Sequence, residues 1–296
     1  MAITAQELLN EVYIKYRGKI QSRTPAFSSD KGIVALSIAN TRIRQWGRDP
    51  RNKWNSLFET TAPNETGTVA TAGTTTLTGT STYFTDYRVG DTILVDGETV
   101  RTIATIVSDT SLTVTVAFST TASSLTFTHN TIIDSTVNTY NLHRRYFLNS
   151  DYAKIVKTDG SIVEYAIPKA QQRNTINGQV AYIHGSNPKK ITFAQTIDAG
   201  LDGGTLTVPG YYEPESLVLS TDIVPVDDPN WLVFITAADL ASNDPANEDK
   251  APSLRGEANE FYMGMSNANN DVGTGQPNTV LNQVPQISDD TDDWTI

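Results

Sequence analysis

Residues 4–17 repeat hydrophobic and polar positions with the period of a helix. Thr4 is followed three residues later by Glu7, which is the spacing of a capping box. Leu8, Leu9 and Val12 then fall on one face. The pattern predicts an amphipathic helix that Gly18 ends.

A second helical pattern follows a short loop that contains Pro25. Ser29 or Asp30 is the expected N-cap, and the helix is expected to stop between Gly47 and Pro50. The expected buried stripe consists of Ile33, Leu36, Ile43 and Trp46. The segment KWNSLFETT that comes next is predicted to be a strand.

From Pro63 to about Thr131 the pattern changes to a period of two, rich in Thr, Val, Gly and Ser. Asp96-Gly97 predicts a hairpin with a two-residue type I′ turn, and a second turn is expected at Ser108–Ser111. Four to six short strands in a small sandwich or barrel are predicted. Polar borders on both sides indicate that this segment is an insert.

After Asn138 the pattern predicts longer hairpins and two more helices. Asp159-Gly160 lies between two alternating runs, which predicts a turn. Asp227 or Asp228 is the expected cap of a largely buried helix that starts with Pro229. Ser253 is the expected cap of the last helix, whose predicted apolar face consists of Leu254, Ala258, Phe261, Tyr262 and Met265. The other predicted strands are QVAYIHG, KKITFAQTI and GTLTVPGYY.

These elements predict an α+β protein with a helical core of two N-terminal and two C-terminal helices. The core is joined to β-hairpins, a small all-β inserted barrel or sandwich, and an extended C-terminal tail. The predicted segments are 1–62 (helical part of the core), 63–131 (β insert), 132–268 (hairpins and C-terminal helices completing the core) and 269–296 (acidic tail).

Composition and charge exclude some kinds of site and indicate how the chain could assemble. The 296 residues include no Cys, which excludes disulfides, thiolate nucleophiles and Cys-based zinc sites in this chain. The net charge of −11 is uneven, with ten Lys or Arg against five Asp or Glu in residues 1–60 and two against ten in residues 244–296. A basic head and an acidic tail favour head-to-tail or ring assembly, with two solvated faces as the alternative.

Residues after Asn269 are polar, acidic and interrupted by Gly and Pro. Such a composition cannot pack a core alone. We expect this tail to dock on a neighbouring subunit or partner, with Trp294 and Ile296 as apolar anchors. The alternative is that it folds back on its own domain.

No pattern in the sequence predicts a catalytic residue, a cofactor or a metal site. His129, His143 and His184 each lack a second ligand at helical spacing, so each is interpreted as a surface or strand histidine. No phosphate-binding loop, dinucleotide fingerprint or nucleophile elbow is present. The run Asp289, Asp290, Asp292 and Asp293 lacks the spacing of a calcium loop. A distant pair of carboxylates for glycoside hydrolysis stays open, although nothing favours it.

Cations cluster where the second helix ends, at Arg42, Arg44, Arg48, Arg51 and Lys53. They complement the negative end of the helix dipole, or they contact an acidic partner surface or phosphates. No basic and aromatic stripe of the kind that stacks bases accompanies them.

The last third of the chain resembles the C-terminal part of bacteriophage head–tail connector proteins, the adaptor or neck proteins that dock beneath the portal. The resemblance rests on a strand ending in Tyr211 and Tyr212, a polar loop with Asp222 and Val224-Pro225, and an aromatic-rich helix carrying Ala237–Ala241. The two N-terminal helices with their Arg-rich exit are similar to the adaptor core. The stretch Gly90–Phe118 is similar to small β-domains of phage virion proteins.

The resemblance implies a structural virion protein and not an enzyme. It implies a ring of commonly twelve copies in the neck between capsid and tail, made in the host cytoplasm. The implied partners are further copies of the chain, the portal protein and the tail or nozzle proteins. DNA would pass through the channel without specific binding, and no membrane is involved. The expected interface residues are Arg42, Arg44, Arg48, Tyr211, Tyr212, Trp231, Trp294 and Ile296.

The sequence leaves two alternatives to the connector interpretation. One is another virion component, such as a tail tube or minor capsid protein. The other is a tail-spike or receptor-binding protein whose Thr-rich β-domain contacts carbohydrate, although the close tryptophan pair, Trp46 and Trp54, lies at the helix exit. In the connector interpretation the insert projects from the ring and touches capsid, tail or neighbouring inserts.

Overall fold

The computed structural model of the chain has an α+β fold, as the sequence predicts. It describes residues 2–17, 25–49, 52–149, 151–168 and 179–274. Within these residues, helices come from the two ends of the chain and antiparallel sheets come from the middle.

Four α-helices lie in the described residues. Their bounds are α1 Ala5–Arg17, α2 Asp30–Gly47, α3 Pro229–Ser242 and α4 Ala251–Thr274. Short 3₁₀ turns lie at Asn55–Leu57, Phe84–Asp86, Ala199–Leu201 and Glu248–Lys250.

Sixteen strands lie between α2 and α3 in the described residues. They are β1 Phe58–Glu59, β2 Thr68–Ala72, β3 Thr76–Thr80, β4 Thr92–Val95, β5 Arg101–Ser108, β6 Ser111–Val114, β7 Thr121–Leu125, β8 Phe127–Asn130, β9 Thr139–Asn141, β10 Tyr146–Asn149, β11 Tyr152–Val156, β12 Ile162–Ala166, β13 Ala181–His184, β14 Lys190–Phe193, β15 Thr205–Thr207 and β16 Gly210–Tyr212. They form three three-stranded sheets, in the orders β1-β16-β10, β12-β11-β15 and β13-β14-β9, and one curled seven-stranded half-barrel, β7-β2-β3-β6-β5-β4-β8.

The chain divides into two compact units. The helical unit comprises the described residues within 1–43, 49–52 and 217–296. The β unit comprises those within 44–48 and 53–216. This division joins separate stretches of the chain into two units, so it does not test the boundaries of the four consecutive segments expected from the sequence. Those boundaries stay a prediction.

In the helical unit, the predicted capping box of α1 is confirmed. The backbone N–H of Thr4 donates to Oε2 of Glu7 at 2.7 Å, and the N–H of Glu7 donates to Oγ1 of Thr4 at 3.2 Å. Asp228 caps α3 through the N–H of Asn230, and Pro229 follows at the first helical position as predicted. Helix α3 packs against both α1 and α4.

The predicted buried stripe of α2 is wrong at Ile33, which is 56% exposed. The inward positions are instead Gly32, Ala35, Leu36, Ala39, Ile43 and Trp46. A Cβ on Gly32 would lie 2.5 Å from the carbonyl oxygen of Ala26, so the backbone packs directly at that position. The inward face therefore begins one residue earlier, about 100° around the helix from Ile33.

The last helix starts earlier and ends later than the sequence predicts. The 3₁₀ turn Glu248–Lys250 leads into α4 at Ala251, two residues before the expected cap Ser253. The helix continues to Thr274, beyond Asn269, where the tail was expected to begin. Residues 275–296, with Trp294 and Ile296, lie outside the described residues, and tail docking stays a prediction.

The insert, residues 63–131, contains seven strands, more than the four to six expected. Its alternating inward residues form an apolar cluster, named the insert core: Val69, Leu77, Phe84, Ile93, Val95, Ile103, Leu112, Val114, Phe118 and Phe127. The predicted turn between Ser108 and Ser111 is confirmed, because these two residues pair across β5 and β6.

The predicted two-residue hairpin at Asp96-Gly97 is wrong in register. Gly97 does take a positive φ of 77°, and the N–H of Glu98 donates to the carbonyl of Val95 at 3.0 Å. Asp96 does not take a positive φ, so the predicted type I′ turn, which requires a positive φ at both central residues, is also wrong. However, Ile93 pairs with Arg101, so the connection is longer than two residues. The Glu98 carboxylate turns away to accept the hydroxyl of Thr120 and the backbone N–H groups of Ser119 and Thr120, which lowers the pKa of Glu98 to about 2.

The rest of the β unit is built from the predicted hairpins. Asp159-Gly160 connects β11 to β12, with Gly160 at a φ of 83°. The segment KWNSLFETT forms a 3₁₀ turn and only a two-residue strand, β1. Trp46 and Trp54 stack at 5.1 Å, and each is 1% exposed.

Candidate functional site

A half-open cleft in the β unit contains the densest cluster of partly buried titratable groups that we find there. It encloses about 330 Å³ of empty space, including open solvent at its mouth. The insert lines one side and the loop between β9 and β10 lines the other. We name six of its residues the insert joint: Glu65, Asp86, Tyr87 and His129 from the insert, and His143 and Arg144 from the loop.

Four chain segments position these side chains. Glu65 precedes β2, and its N–H donates to the carbonyl of Phe127 at 2.8 Å. Asp86 and Tyr87 lie at the end of the 3₁₀ turn that starts at Phe84. His129 lies on β8, two residues after the core residue Phe127 and therefore on the same face of the strand.

Glu65 is the central group of the joint. Its side chain is 7% exposed, and burial raises its pKa to about 7. His129, a hydrogen bond from Tyr87 and Arg145 oppose that rise, while Asp86 adds to it. Burial also raises the pKa of Tyr87 well above its usual value, so its hydroxyl keeps its hydrogen and donates to Glu65.

His143 is held neutral beside Glu65. Its Nδ1 accepts the backbone N–H of Arg145 at 3.0 Å, so the ring hydrogen lies on Nε2. That nitrogen is 3.2 Å from the carbonyl oxygen of Asn64 and 3.3 Å from Oε2 of Glu65. Burial, followed by the charge of Arg145, lowers the pKa of His143 to about 3.

His129 lies between two carboxylates. Its Nε2 is 2.9 Å from Oδ2 of Asp91, and its Nδ1 is 3.9 Å from Oε1 of Glu65. Asp91, itself 2% exposed, also accepts the backbone N–H groups of Arg88 and Ile132. The ring of Tyr87 stacks on His129 at 4.0 Å.

The mouth of the cleft is held by a stacked ion pair. Nε of Arg144 donates to Oδ2 of Asp86 at 2.5 Å, and its guanidinium lies 3.6 Å from the ring centroid of Tyr83. Asn141 donates to the carbonyl of Asp86 at 2.8 Å. These contacts cross from the insert to the end of β9 and to the loop that follows it.

Chemically, the joint can take up and release a proton near neutral pH. Neither histidine forms a three-ligand group with carboxylates, since the described residues contain no set of three or more His, Asp or Glu side chains able to hold a metal ion. The interpretation as a surface or strand histidine holds for His129 and His184, which lie on β8 and β13. It is wrong for His143, which is buried in a loop.

Neither Glu65 nor the joint is predicted from the sequence. Asn64-Glu65-Thr66 has the composition of an ordinary polar loop. One signal was available for His129: Leu125, Phe127 and His129 alternate, which places the histidine on the inward face of its strand. No local pattern links Glu65 to His143, which is far away along the chain.

The expected interface residues are in different environments. Arg42 makes a two-point ion pair with Asp239 of α3, at 2.7 and 2.8 Å. Arg44 is exposed, and Arg48 is exposed while donating to Glu213. The interface assignment stays a prediction for all of these residues.

The aromatic members of that set lie mostly inside their units. Tyr211 is half-buried between Phe58 and Phe147, whereas Tyr212 is 4% exposed. Trp231 of α3 is 7% exposed. Little of Tyr212 or Trp231 is therefore left for a partner to contact.

A second candidate site is an aliphatic loop in the helical unit, which we name the apolar loop and define as residues 217–224. Val218, Leu219 and Ile223 are 70%, 60% and 56% exposed. Oδ2 of Asp222 accepts the backbone N–H groups of both Val218 and Leu219, at 2.6 and 2.7 Å. Three exposed aliphatic side chains are thus displayed by a hydrogen-bonded loop.

The backbone of the apolar loop is also tied to two helices. The carbonyls of Ser220 and Asp222 accept the N–H groups of Gln6 and Ala5 at the start of α1. Asn40 of α2 donates to the carbonyl of Leu217 and accepts its N–H. The loop is therefore fixed in place, and its aliphatic exposure is not a consequence of fraying.

No helix within the described residues is both long and apolar enough to cross a membrane. A scan against protein-family models finds no family that matches the chain, and no curated protein matches its sequence.

Proposed function

We propose that this chain is a structural virion protein, a head-to-tail connector that forms a homo-oligomeric ring between portal and tail around the DNA channel. The observation that carries the proposal is the apolar loop. Exposed aliphatic groups on a fixed backbone are typical of a protein–protein interface, because their burial is favourable and costs little ordering entropy.

The helical unit supports association as the function. Helix α3 carries buried residues on most of its surface and is packed between α1 and α4, so it serves as the unit's internal support. The apolar loop precedes α3 and lies at the start of α1. A neighbouring copy that covers this loop would add an apolar contact to an already complete core.

Charge supports the same proposal. The exposed Arg44 and Arg48 belong to the basic first part of the chain, and the acidic residues concentrate in the last part. Opposite ends of adjacent copies would attract each other in a ring. A net charge of −11 also suits a channel that DNA passes without being retained.

The test compares two valines of equal exposure. Val218 in the apolar loop and Val107 on β5 of the insert are each 70% exposed. We expect the wild-type chain to form rings, Val218→Asp to be monomeric because the interface would bury a carboxylate, and Val107→Asp to form rings like the wild type. Mass photometry gives the mass, and negative-stain images with and without portal particles give the shape.

A wild-type chain that stays monomeric at micromolar concentration and ignores portal particles would contradict the proposal. Equal assembly of both valine variants would contradict the role of the apolar loop. Long tubes instead of single rings would favour the tail-tube alternative. The carbohydrate-binding alternative has little support from the pair Trp46 and Trp54, which is buried and offers no surface for a sugar to stack on.

A further inference from the structure

The insert has a hydrophobic core of its own. The insert core and the apolar cluster of the remaining β unit, which includes Tyr140, Ile155 and Phe193, are separate clusters. Side chains of the insert joint connect the two parts, as does Asn141, which donates to the carbonyl of Asp86. Arg88 adds a further connection, because it pairs with Asp134 and lies 5.0 Å from the ring centroid of Tyr140. A polar junction between two apolar cores can open while most of each core stays buried.

The two connecting segments are short and hydrogen-bonded. After β8, the carbonyl of Thr131 accepts the N–H of Leu206 in β15, and the N–H of Ile133 donates to the carbonyl of Gly204, which precedes that strand. Before β2, Glu65 lies in the connecting segment itself, two residues before Gly67, which has a φ of 88°. The side chain that titrates near neutral pH is therefore on the chain segment about which the insert would move.

We propose that the insert joint is a protonation switch: it is closed when Glu65 carries a proton, and loss of that proton releases the insert to move relative to the rest of the β unit. The inference is independent of ring assembly, since it concerns contacts within one β unit.

Groups from every surrounding segment face Glu65. His129 comes from β8, Tyr87 and Asp86 come from the 3₁₀ turn, and His143, Arg144 and Arg145 come from the loop between β9 and β10. Tyr212 of β16 packs edge-on against His143 and is in electrostatic contact with Glu65. Beyond this ring, Asp91 holds the far nitrogen of His129.

These groups compensate an ionised Glu65 only in part, because burial outweighs the favourable contributions of His129, Tyr87 and Arg145. His143 lies 3.3 Å away, but it is held neutral by the N–H of Arg145 and by burial. Arg144 is committed to Asp86 and Tyr83. A buried carboxylate that gains a charge without gaining a full partner regains its lost solvation most readily by letting water in.

Protonated Glu65 fits the closed cleft. A neutral carboxyl carries no large desolvation cost and still accepts from Tyr87. The balance between the two forms lies near neutrality, because burial raises the pKa of Glu65 to about 7. The closed state is therefore expected at mildly acidic pH, and the released state at mildly alkaline pH.

The chain contains no cysteine, so a labelled cysteine pair is specific. Thr110→Cys in the turn between β5 and β6 and Thr158→Cys in the turn between β11 and β12 place two dyes on exposed positions in the two parts. We expect the transfer efficiency between them to change once between pH 5.5 and 8.5, with a midpoint near pH 7. The closed-to-open ratio should fall about tenfold per pH unit below pH 7, as for one proton, and level off at higher pH, where Glu65 is ionised in both states.

Three variants make the test specific. Glu65→Gln keeps the shape without the charge and should give a flat, closed profile. Glu164→Gln on β12 makes the same change at an exposed site and should behave as the wild type. Tyr87→Phe removes a hydrogen bond that favours the ionised carboxylate, so its midpoint should move to higher pH.

A flat wild-type profile, or the same transition in Glu65→Gln, would overturn the proposal. So would an unchanged midpoint in Tyr87→Phe, which a merely structural role of the hydroxyl would leave in place. Circular dichroism at pH 6 establishes folding of each variant, and the midpoint shift in Tyr87→Phe tests the switch even where Glu65→Gln does not fold.

Discussion

The insert core and the insert joint lie next to each other, but apolar packing stabilises the core and contacts between titratable groups stabilise the joint. Ten apolar side chains form the core, and none of them titrates. The joint contains a buried carboxyl, a buried phenol and two imidazoles. The protonation states of these groups determine which of their contacts are favourable. The core should therefore be insensitive to pH and the joint sensitive to it, although both belong to one β unit.

The largest expected effect comes from breaking the core. Phe84 is fully buried and packs edge-on against Phe127, at 5.9 Å between ring centroids. Phe84→Ala should lower the free energy of unfolding of the insert by about 3–5 kcal/mol, because it removes apolar contacts and leaves a cavity. Hydrogen exchange of residues 68–130 by mass spectrometry measures this directly.

The matched control for the core is Val107→Ala, at a valine that is 70% exposed. A surface change of this kind should stay within about 0.5 kcal/mol. If the loss in Phe84→Ala depended strongly on pH between 5 and 8, the separation of core and joint would be wrong.

The next effect is the pH dependence of the joint. The pKa of Glu65 rises from 4.5 to about 7, and that of His143 falls from 6.5 to about 3. Between pH 4.5 and 6.5, the folded joint holds its one proton on Glu65, and the unfolded chain holds one on His143. The number of bound protons is equal, so this pair gives no slope to the free energy of unfolding in that window.

Glu65→Gln removes this cancellation. His143, with its lowered pKa, then acts alone, and its contribution is present above pH 6.5 and is lost as the pH falls towards 3. Relative to wild type, the variant should lose about 1.4 kcal/mol of stability per pH unit as the pH falls from 6.5 to 4.5. Urea unfolding at several pH values gives the difference, and parallel curves for the two proteins would refute the proton exchange.

The smallest effect is expected at the mouth of the joint. Arg144→Lys keeps the positive charge but loses the planar group stacked on Tyr83, which should cost about 0.5–1 kcal/mol. A double-mutant cycle with Tyr83→Leu isolates the stacking contribution. Strict additivity of the two substitutions would show that the stack contributes nothing.

The core could be predicted from the sequence and the joint could not. Alternation with a period of two identifies inward residues such as Leu112 and Val114, and Asp-Gly pairs identify turns. The turn at Gly97 shows the limit of local patterns. The Asp-Gly pair predicts that a turn is there, but neither the type I′ conformation nor the two-residue register is found, and Glu98 binds Ser119 and Thr120 instead. Ile33 shows the same limit on a helix, because a backbone contact at Gly32 decides which face is buried.

The joint depends on residues that the sequence separates. Glu65, Tyr87, His129 and His143 come from four segments, and each segment reads as an ordinary loop or strand. Their pKa shifts arise only when the fold removes water from all of them together. Periodicity carries information on neighbours along the chain and none on such a cluster.

The division of the chain has a consequence for the order in which the protein is made. Helices α1 and α2 precede nearly all of the β unit, while α3, against which α1 packs, follows it. At roughly 5–20 residues per second, ribosomes take on the order of 10–40 s to reach α3 after α1 has emerged. During that interval α1 lacks the helix against which it packs, so the nascent chain offers chaperones its apolar face, with Leu8, Leu9 and Val12, before the helical unit can close.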